Sequence, residues 1–233
     1  VQRWPTVRDL AAVNLDDVLH AWQGLGYYAR ARNLHKCAIL VCTLHDGRFP
    51  DTESELLKLP GIGQYTAAAI AAIAFGRETT VVDGNVERVM ARLYAVKEPL
   101  PKAKTTLRKL AARHTPAARC GDYAQAVMDL GATVCSPSKP NCAVCPWAHA
   151  CAANQRGIAA DLPVKAPKFK RPVRYGFAYW MVSPRGTVLL RRRPTSGLLG
   201  GMMEIPSTTW TSEPFTMKSA RSLAPLEANW VPI

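Results

Sequence analysis

Cys135, Cys142, Cys145 and Cys151 stand in the run CSPSKPNCAVCPWAHAC with the spacing Cx6Cx2Cx5C. The stretch shows little helical or strand pattern, so the four thiols point to a loop that closes around one centre. Ligation by four cysteines suits a [4Fe-4S] cluster. A zinc site more often shows two separated CxxC knuckles, and one is present here; zinc and ordinary cysteines stand as the alternatives. Disulfides are disfavoured by the cytoplasmic setting inferred below. The remaining Cys37, Cys42 and Cys120 read as packing residues.

A chain of 233 residues with 48% hydrophobic content can bury a sizeable core, enough for one domain and part of a second. Its formal charge of +13 favours a polyanionic partner, with nucleic acid ahead of a membrane surface. Lys97, Lys102, Lys104, Arg108, Lys109, Arg113 and Arg119 face only Glu98 between residues 97 and 119. A second basic group comprises Lys165, Lys168, Lys170, Arg171 and Arg174. Either run alone also reads as a solvated face or a charged linker. No apolar run approaches the ~20 residues of a membrane span, and the N-terminus lacks a signal-peptide pattern, so the expected location is the cytoplasm. Val1 is not an initiating Met, which leads us to expect further residues upstream.

Residues 6 to 155 read as consecutive short helices. Asn14 can cap LDDVLHAWQ, and Leu34, Cys37, Ala38, Val41 and Leu44 recur at helical spacing as far as Asp46-Gly47. Thr52 and Glu55 fit a capping box before LLKL. The Ala-rich run from Thr66 to Phe75 is a small-residue helix closing at Gly76. Another helix follows VVDGN, and a further one covers YAQAVMDLGATV. Residues 154 to 172 carry Pro163, Pro167 and Pro172 among lysines, which marks a linker. Beyond it, YGFAYWMV and TVLLRRR flank Ser183-Pro184-Arg185-Gly186, so a β-hairpin is expected.

Residues 52 to 75 therefore read as helix, LPGIG, helix. Gly61 and Gly63 allow a sharp turn and a close approach, leaving amides at the head of the next helix, with Gln64 and Thr66, facing outward as a phosphate site. A helix-hairpin-helix of this kind grips DNA backbone without reading sequence. A lone GxG before a helix is also compatible with an ordinary interhelical turn.

The order GLGYYARARNL, LPGIGQYTAAAI, VVDGNVERVMAR and Cx6Cx2Cx5C resembles the endonuclease III superfamily of base-excision glycosylases over residues 1 to about 155. The linker and GLLGGMMEIP resemble the Nudix-like tail of adenine DNA glycosylases of the MutY type. The implied fold class is mainly α: a glycosylase domain over 1–153 with hairpin and cluster loop, a linker over 154–172, and a partial α+β Nudix-like domain for 8-oxoguanine recognition over 173–233.

The resemblance also implies roles. Bifunctional relatives place a Schiff-base lysine just before the Thr of the hairpin motif; Tyr65 holds that place here and a phenol forms no imine, implying a monofunctional glycosylase. Asp83 matches the catalytic aspartate that stabilises an oxocarbenium-like sugar, with Asn85 in support. By composition alone, Asp-Gly-Asn reads first as a turn or helix cap. Tyr27 matches the aromatic that wedges into the duplex beside 8-oxoguanine, although YY after a Gly turn reads by itself as core packing, and Gln125 lies where some relatives carry an acidic residue near the adenine pocket. Adenine needs an acid to leave, which the family supplies from a glutamate upstream of Val1; Glu53, Glu55 and Glu78 sit in other motifs.

The tail has no acidic REx2E-type cluster for Mg2+ and no Phe-Ser/Thr-His tripeptide, so it reads as a recognition module cut before its 8-oxoguanine loop. The resemblance implies a monomeric bacterial enzyme, associated with the nucleoid through DNA, that removes adenine from 8-oxoguanine or guanine mispairs. A chain without the upstream glutamate is expected to turn over poorly. Two other readings are an endonuclease III-like glycosylase/lyase, which Tyr65 and the tail oppose, and a non-catalytic iron-sulfur protein that scans duplexes.

Overall fold

The computed structural model describes residues 2–167, 171–197 and 199–231. Val1, Lys168 and Lys170 of the second basic group, Leu198 of GLLGGMMEIP, and Ile233 lie outside the described residues. Contacts divide the chain into two units, Val1–His20 with Arg32–Pro167, and Ala21–Ala31 with Lys168–Ile233.

The helices run α1 (Val7–Ala12), α2 (Leu15–Ala21), α3 (Tyr28–Leu44), α4 (Glu53–Leu56), α5 (Gln64–Phe75), α6 (Gly84–Leu93), α7 (Lys104–Ala112), α8 (Cys120–Asp129), α9 (Ala152–Gln155) and α10 (Met217–Ser222). Their starts follow local chemistry. Thr6 and Asp9 form a capping box at α1, and Asn14 Oδ1 accepts from the Asp16 amide at 3.2 Å at the head of α2. Thr52 caps α4 by accepting from the Glu55 amide. The expected reciprocal half of that box is replaced, because the Glu55 carboxylate instead accepts from Lys58 at 2.6 Å. α7 lies in the stretch read from sequence only as a basic cluster; Leu107 and Ala111 are buried on its inner side.

The first unit is organised around α5. Its alanines serve two neighbours: Ala67 and Ala71 pack with Cys37, Val41, Leu56 and Leu59, whereas Ala68 and Ala72 pack with Val81, Cys120 and Ala124. Small side chains on both faces let α3 and α4 approach one side and α8 the other. A third cluster joins Val86, Val89 and Met90 of α6 to Leu107 and Val127.

Residues 154 to 166, expected as linker, are anchored on this unit. Leu162 and Ala159 pack with Ala95 and Ala153. The Leu100 amide donates to the Val164 carbonyl at 2.9 Å, and the Ala166 amide to the Leu100 carbonyl at 3.1 Å. After the end of α9 and a 3-10 turn at Ala159–Asp161, Pro163 and Pro167 break helix, yet leave the backbone between them free to pair as an extended segment.

In the second unit, the expected hairpin forms at Ser183–Gly186. The Ser183 amide donates to the Thr187 carbonyl at 2.8 Å, the Leu189 amide to the Met181 carbonyl at 3.0 Å, and Val182 bridges Val188. Strands β1 (Arg191–Arg192) and β2 (Met203–Glu204) pair antiparallel and form the sheet among the described residues. The buried Tyr179 hydroxyl donates to the Ala220 carbonyl of α10 at 2.6 Å. Among the described residues, no helix is long and apolar enough to cross a membrane.

Candidate active site and cysteine centre

Asp83 is the N-cap of α6, its extended backbone placing the carboxylate over the exposed amides of the first turn. Oδ1 accepts from the Asn85 amide at 2.9 Å and the Val86 amide at 2.8 Å, and Oδ2 accepts from Asn85 Nδ2 at 2.9 Å. The helix-cap reading of DGN is realised, and the cap leaves the carboxylate half-buried on the wall of a groove. Asp83, Asn85, Glu87, Arg88, Leu100, Pro137, Leu162 and Lys165 line that groove. Glu87, the other carboxylate on its wall, pairs with Lys104 at 3.0 Å.

Asn85 is held from behind. Arg88 Nη2 donates to Asn85 Oδ1 at 2.9 Å and to the Gly131 carbonyl, while Nε donates to the Cys135 carbonyl at 2.7 Å. Gly131 belongs to a π-helical turn, Leu130–Val134, that carries the chain from α8 into the cysteine loop. A Cβ on Gly131 would sit 2.5 Å from Asn85 Cβ, so only glycine admits this approach. Burial pushes the Arg88 guanidinium down and Arg92 adds to this, while Cys135 and Asp83 pull it back up.

One turn further along α6, Arg92 is 1% exposed. Its Nε donates to the Leu162 carbonyl at 2.9 Å, Nη1 to the Cys135 and Ser136 carbonyls at 3.1 and 2.8 Å, and Nη2 to the Pro137 carbonyl at 2.9 Å. Nη1 also reaches Cys135 Sγ at 3.2 Å. Arg88 and Arg92 escaped the sequence reading; their signal was two arginines four apart on the inward face of VERVMAR.

All four loop cysteines line one cavity with Arg92, Asn141, Ala148 and Asn154. None of the four is joined in a disulfide. Burial pushes the Cys142 thiol up, reinforced by Cys151, Cys135 and Cys145 and opposed by Arg92, as expected of four sulfurs within electrostatic reach of one another. Among the described residues, no three Cys, His, Asp or Glu side chains converge tightly enough for a single metal ion. Of the remaining thiols, Cys37 and Cys120 are buried in the helical core, as expected of packing residues, and Cys42 is half-buried.

In the hairpin, Gly61 has φ +78°, and a Cβ there would meet Asn33 Cβ at 2.7 Å. Gly63 caps α5 with no side-chain bond, leaving the first amides of Gln64, Tyr65 and Thr66 without a capping side chain. Tyr65 is 44% exposed and its hydroxyl lies 3.7 Å from Met128 Sδ. Exposed Gln125 donates to the Gly121 carbonyl of its own helix at 3.2 Å, and neither it nor Tyr65 lines the Asp83 groove. In the second unit, Tyr27 is 82% exposed at φ +47°, with the Arg30 guanidinium 5.4 Å from its ring and 5.6 Å from that of Trp22.

Comparison with known proteins follows the same lines. The chain is 37% identical over 259 residues to the adenine DNA glycosylase of Homo sapiens, covering 90% of this chain and 47% of that protein. It is 39% identical over 250 residues to the adenine DNA glycosylase of Arabidopsis thaliana, covering 91% and 39% respectively. The chain thus spans less than half the length of these two relatives. Among solved structures, a non-covalent endonuclease III–DNA complex matches with TM-score 0.58 and 27% identity over 67% of this chain and 73% of that one. A thermostable thymine-DNA glycosylase matches with TM-score 0.60 and 29% identity over 66% and 72%. Residues 1–115 match the HhH-GPD superfamily base excision DNA repair proteins, and it is to this family that this segment of the chain belongs.

Proposed function

We propose that this chain carries the helical core of a monofunctional adenine DNA glycosylase, acting as a monomer on double-stranded DNA in which adenine faces 8-oxoguanine or guanine. The observation that carries the reading is Asp83, a carboxylate fixed by three donors on the wall of an open groove. When an N-glycosidic bond breaks, positive charge grows on the sugar, and a preorganised anion stabilises it without reorganising. Asn85 and Arg88 act as positioning residues. Tyr65 offers no amine, which favours hydrolysis over strand cleavage. Protonation of adenine is assigned to the upstream glutamate that the resemblance implies, since Glu53 and Glu55 are engaged by Arg108 and Lys58.

The hairpin, with Gly61, Gly63, Gln64 and Thr66, is the backbone grip. Tyr27, presented on a strained and exposed turn, is the duplex wedge. The four cysteines fit a [4Fe-4S] cluster, because they surround one cavity and ligation by four thiolates suits such a centre. Bound there, the cluster supplies a structural cross-link of the loop. Residues 173–233 are assigned to part of a Nudix-like recognition module, and Gln125 stays a candidate neighbour of the adenine pocket.

The test is single-turnover release of adenine from an 8-oxoguanine:A duplex, by this chain and by a version extended upstream through the glutamate helix. Asp83→Asn keeps a cap acceptor and removes the charge, and is expected to lower the rate of the active form by about a hundredfold or more. Unchanged release in the variant would overturn the role of Asp83; release by neither parent form would favour a scanning protein.

A further inference from the structure

Arg108 projects from α7 onto the hairpin and touches both of its helices at their first residues. Its Nη2 donates to Glu53 Oε1, at the head of α4, at 2.6 Å. Its Nη1 donates to Gln64 Oε1, at the head of α5, at 3.3 Å. A guanidinium carries donors only, so the amide atom that Gln64 turns toward it is the oxygen, and the NH2 group is left facing away. Gln64 and Tyr65, whose amides no side chain caps, are both exposed at the mouth of α5. Arg108 itself is charge-paired with Glu53 and only 35% exposed at the side chain, a poor situation for a direct phosphate contact.

We propose that Arg108 is a positioning residue for duplex binding: it fixes the two hairpin helices against each other and holds the Gln64 amide with its NH2 free to donate to a DNA phosphate. The inference rests on the reading of the hairpin as the DNA grip. A planar fork is needed, because the two acceptors come from different helices; a lysine ammonium retains the Glu53 pair but does not span both.

Binding of an undamaged fluorescent duplex is measured by anisotropy across a salt series for the full chain and for R108A, R108K, Q64A, R108A/Q64A and G63D, at a temperature where circular dichroism shows each folded. G63D tests the grip itself: nothing lies within 4 Å of a Cβ at Gly63, and aspartate is a favoured cap, so the fold tolerates it while the phosphate meets a carboxylate. The expected result is that G63D removes most binding and that R108A, R108K and Q64A each weaken it about tenfold. The double variant should be no weaker than Q64A, and the salt slope of R108A should be unchanged. Three results overturn the proposal while leaving the grip intact: wild-type binding by R108K, additive losses in the double variant, or a salt slope reduced by about 0.9 in R108A, which marks a direct phosphate contact. Wild-type binding by G63D overturns the grip and the proposal together. Should R108A fail to fold, R108K, which keeps the ion pair with Glu53, carries the comparison.

Discussion

Arg92 shows how a charged side chain can be satisfied almost wholly out of solvent. Four carbonyl oxygens from residues 135–137 and 162 converge on its guanidinium, so it welds the cysteine loop and the proline-rich segment to α6. Arg92→Met keeps length and apolar bulk but leaves the Ser136, Pro137 and Leu162 carbonyls without donors, that of Cys135 keeping Arg88, with an expected loss of about 3 kcal/mol or more in urea unfolding. A loss below about 1 kcal/mol would show that the loop is held by other contacts. Tyr123 makes the opposite case. Its enclosed hydroxyl has no hydrogen-bond partner among the described residues, and burial pushes its pKa up to about 12, with Tyr94 adding to the rise. The folded state keeps the phenol proton where the unfolded chain has lost it. That contribution is complete below the ordinary value of 10.0 and is lost as pH rises toward about 12. Tyr123→Phe is expected to flatten the alkaline fall in melting temperature between those values and to leave neutral stability equal or slightly higher. An unchanged alkaline profile would remove Tyr123 as its cause.

The π turn Leu130–Val134 does for α6 what no single residue does. By widening the backbone after α8, it brings Gly131 against Asn85 and aims its carbonyl at Arg88, so the support of Asp83 comes from an element distant in sequence. Gly131→Ala places a methyl where Asn85 stands, and is expected to cost about 1 to 3 kcal/mol and to slow base release more than it weakens duplex binding. Equal loss of both would mean that the turn supports the domain as a whole. α5 works by the same economy of volume: its alanines admit neighbours on both faces, which leaves its N-terminus, with the hairpin glycines, free at the surface.

Across the whole chain, the formal +13 sets what the proposed DNA binding should look like. Backbone gripping through several phosphates should lose about a thousandfold in affinity between low and moderate salt, whereas a chain whose charge is only a solvated face would lose little. Borohydride in the presence of substrate should trap no covalent DNA adduct; a trapped species would assign an amine nucleophile and restore the lyase reading. What the sequence determined by itself was local: helix starts at Thr6, Asn14, Thr52 and Gly63, the turn at Ser183–Gly186, the cysteine spacing, and Asp83 at the head of α6. Each depends on residues within a few positions, where capping and turn chemistry act. Only the tertiary structure could decide that Arg88 and Arg92 turn inward to carbonyls 43 to 70 residues away, that residues 154–166 belong to the helical unit, and that Arg108 reaches the hairpin. The reason is physical: a charged side chain in a helix is satisfied equally well by water, and only the assembled fold, by excluding that water, obliges it to find its partners within the protein.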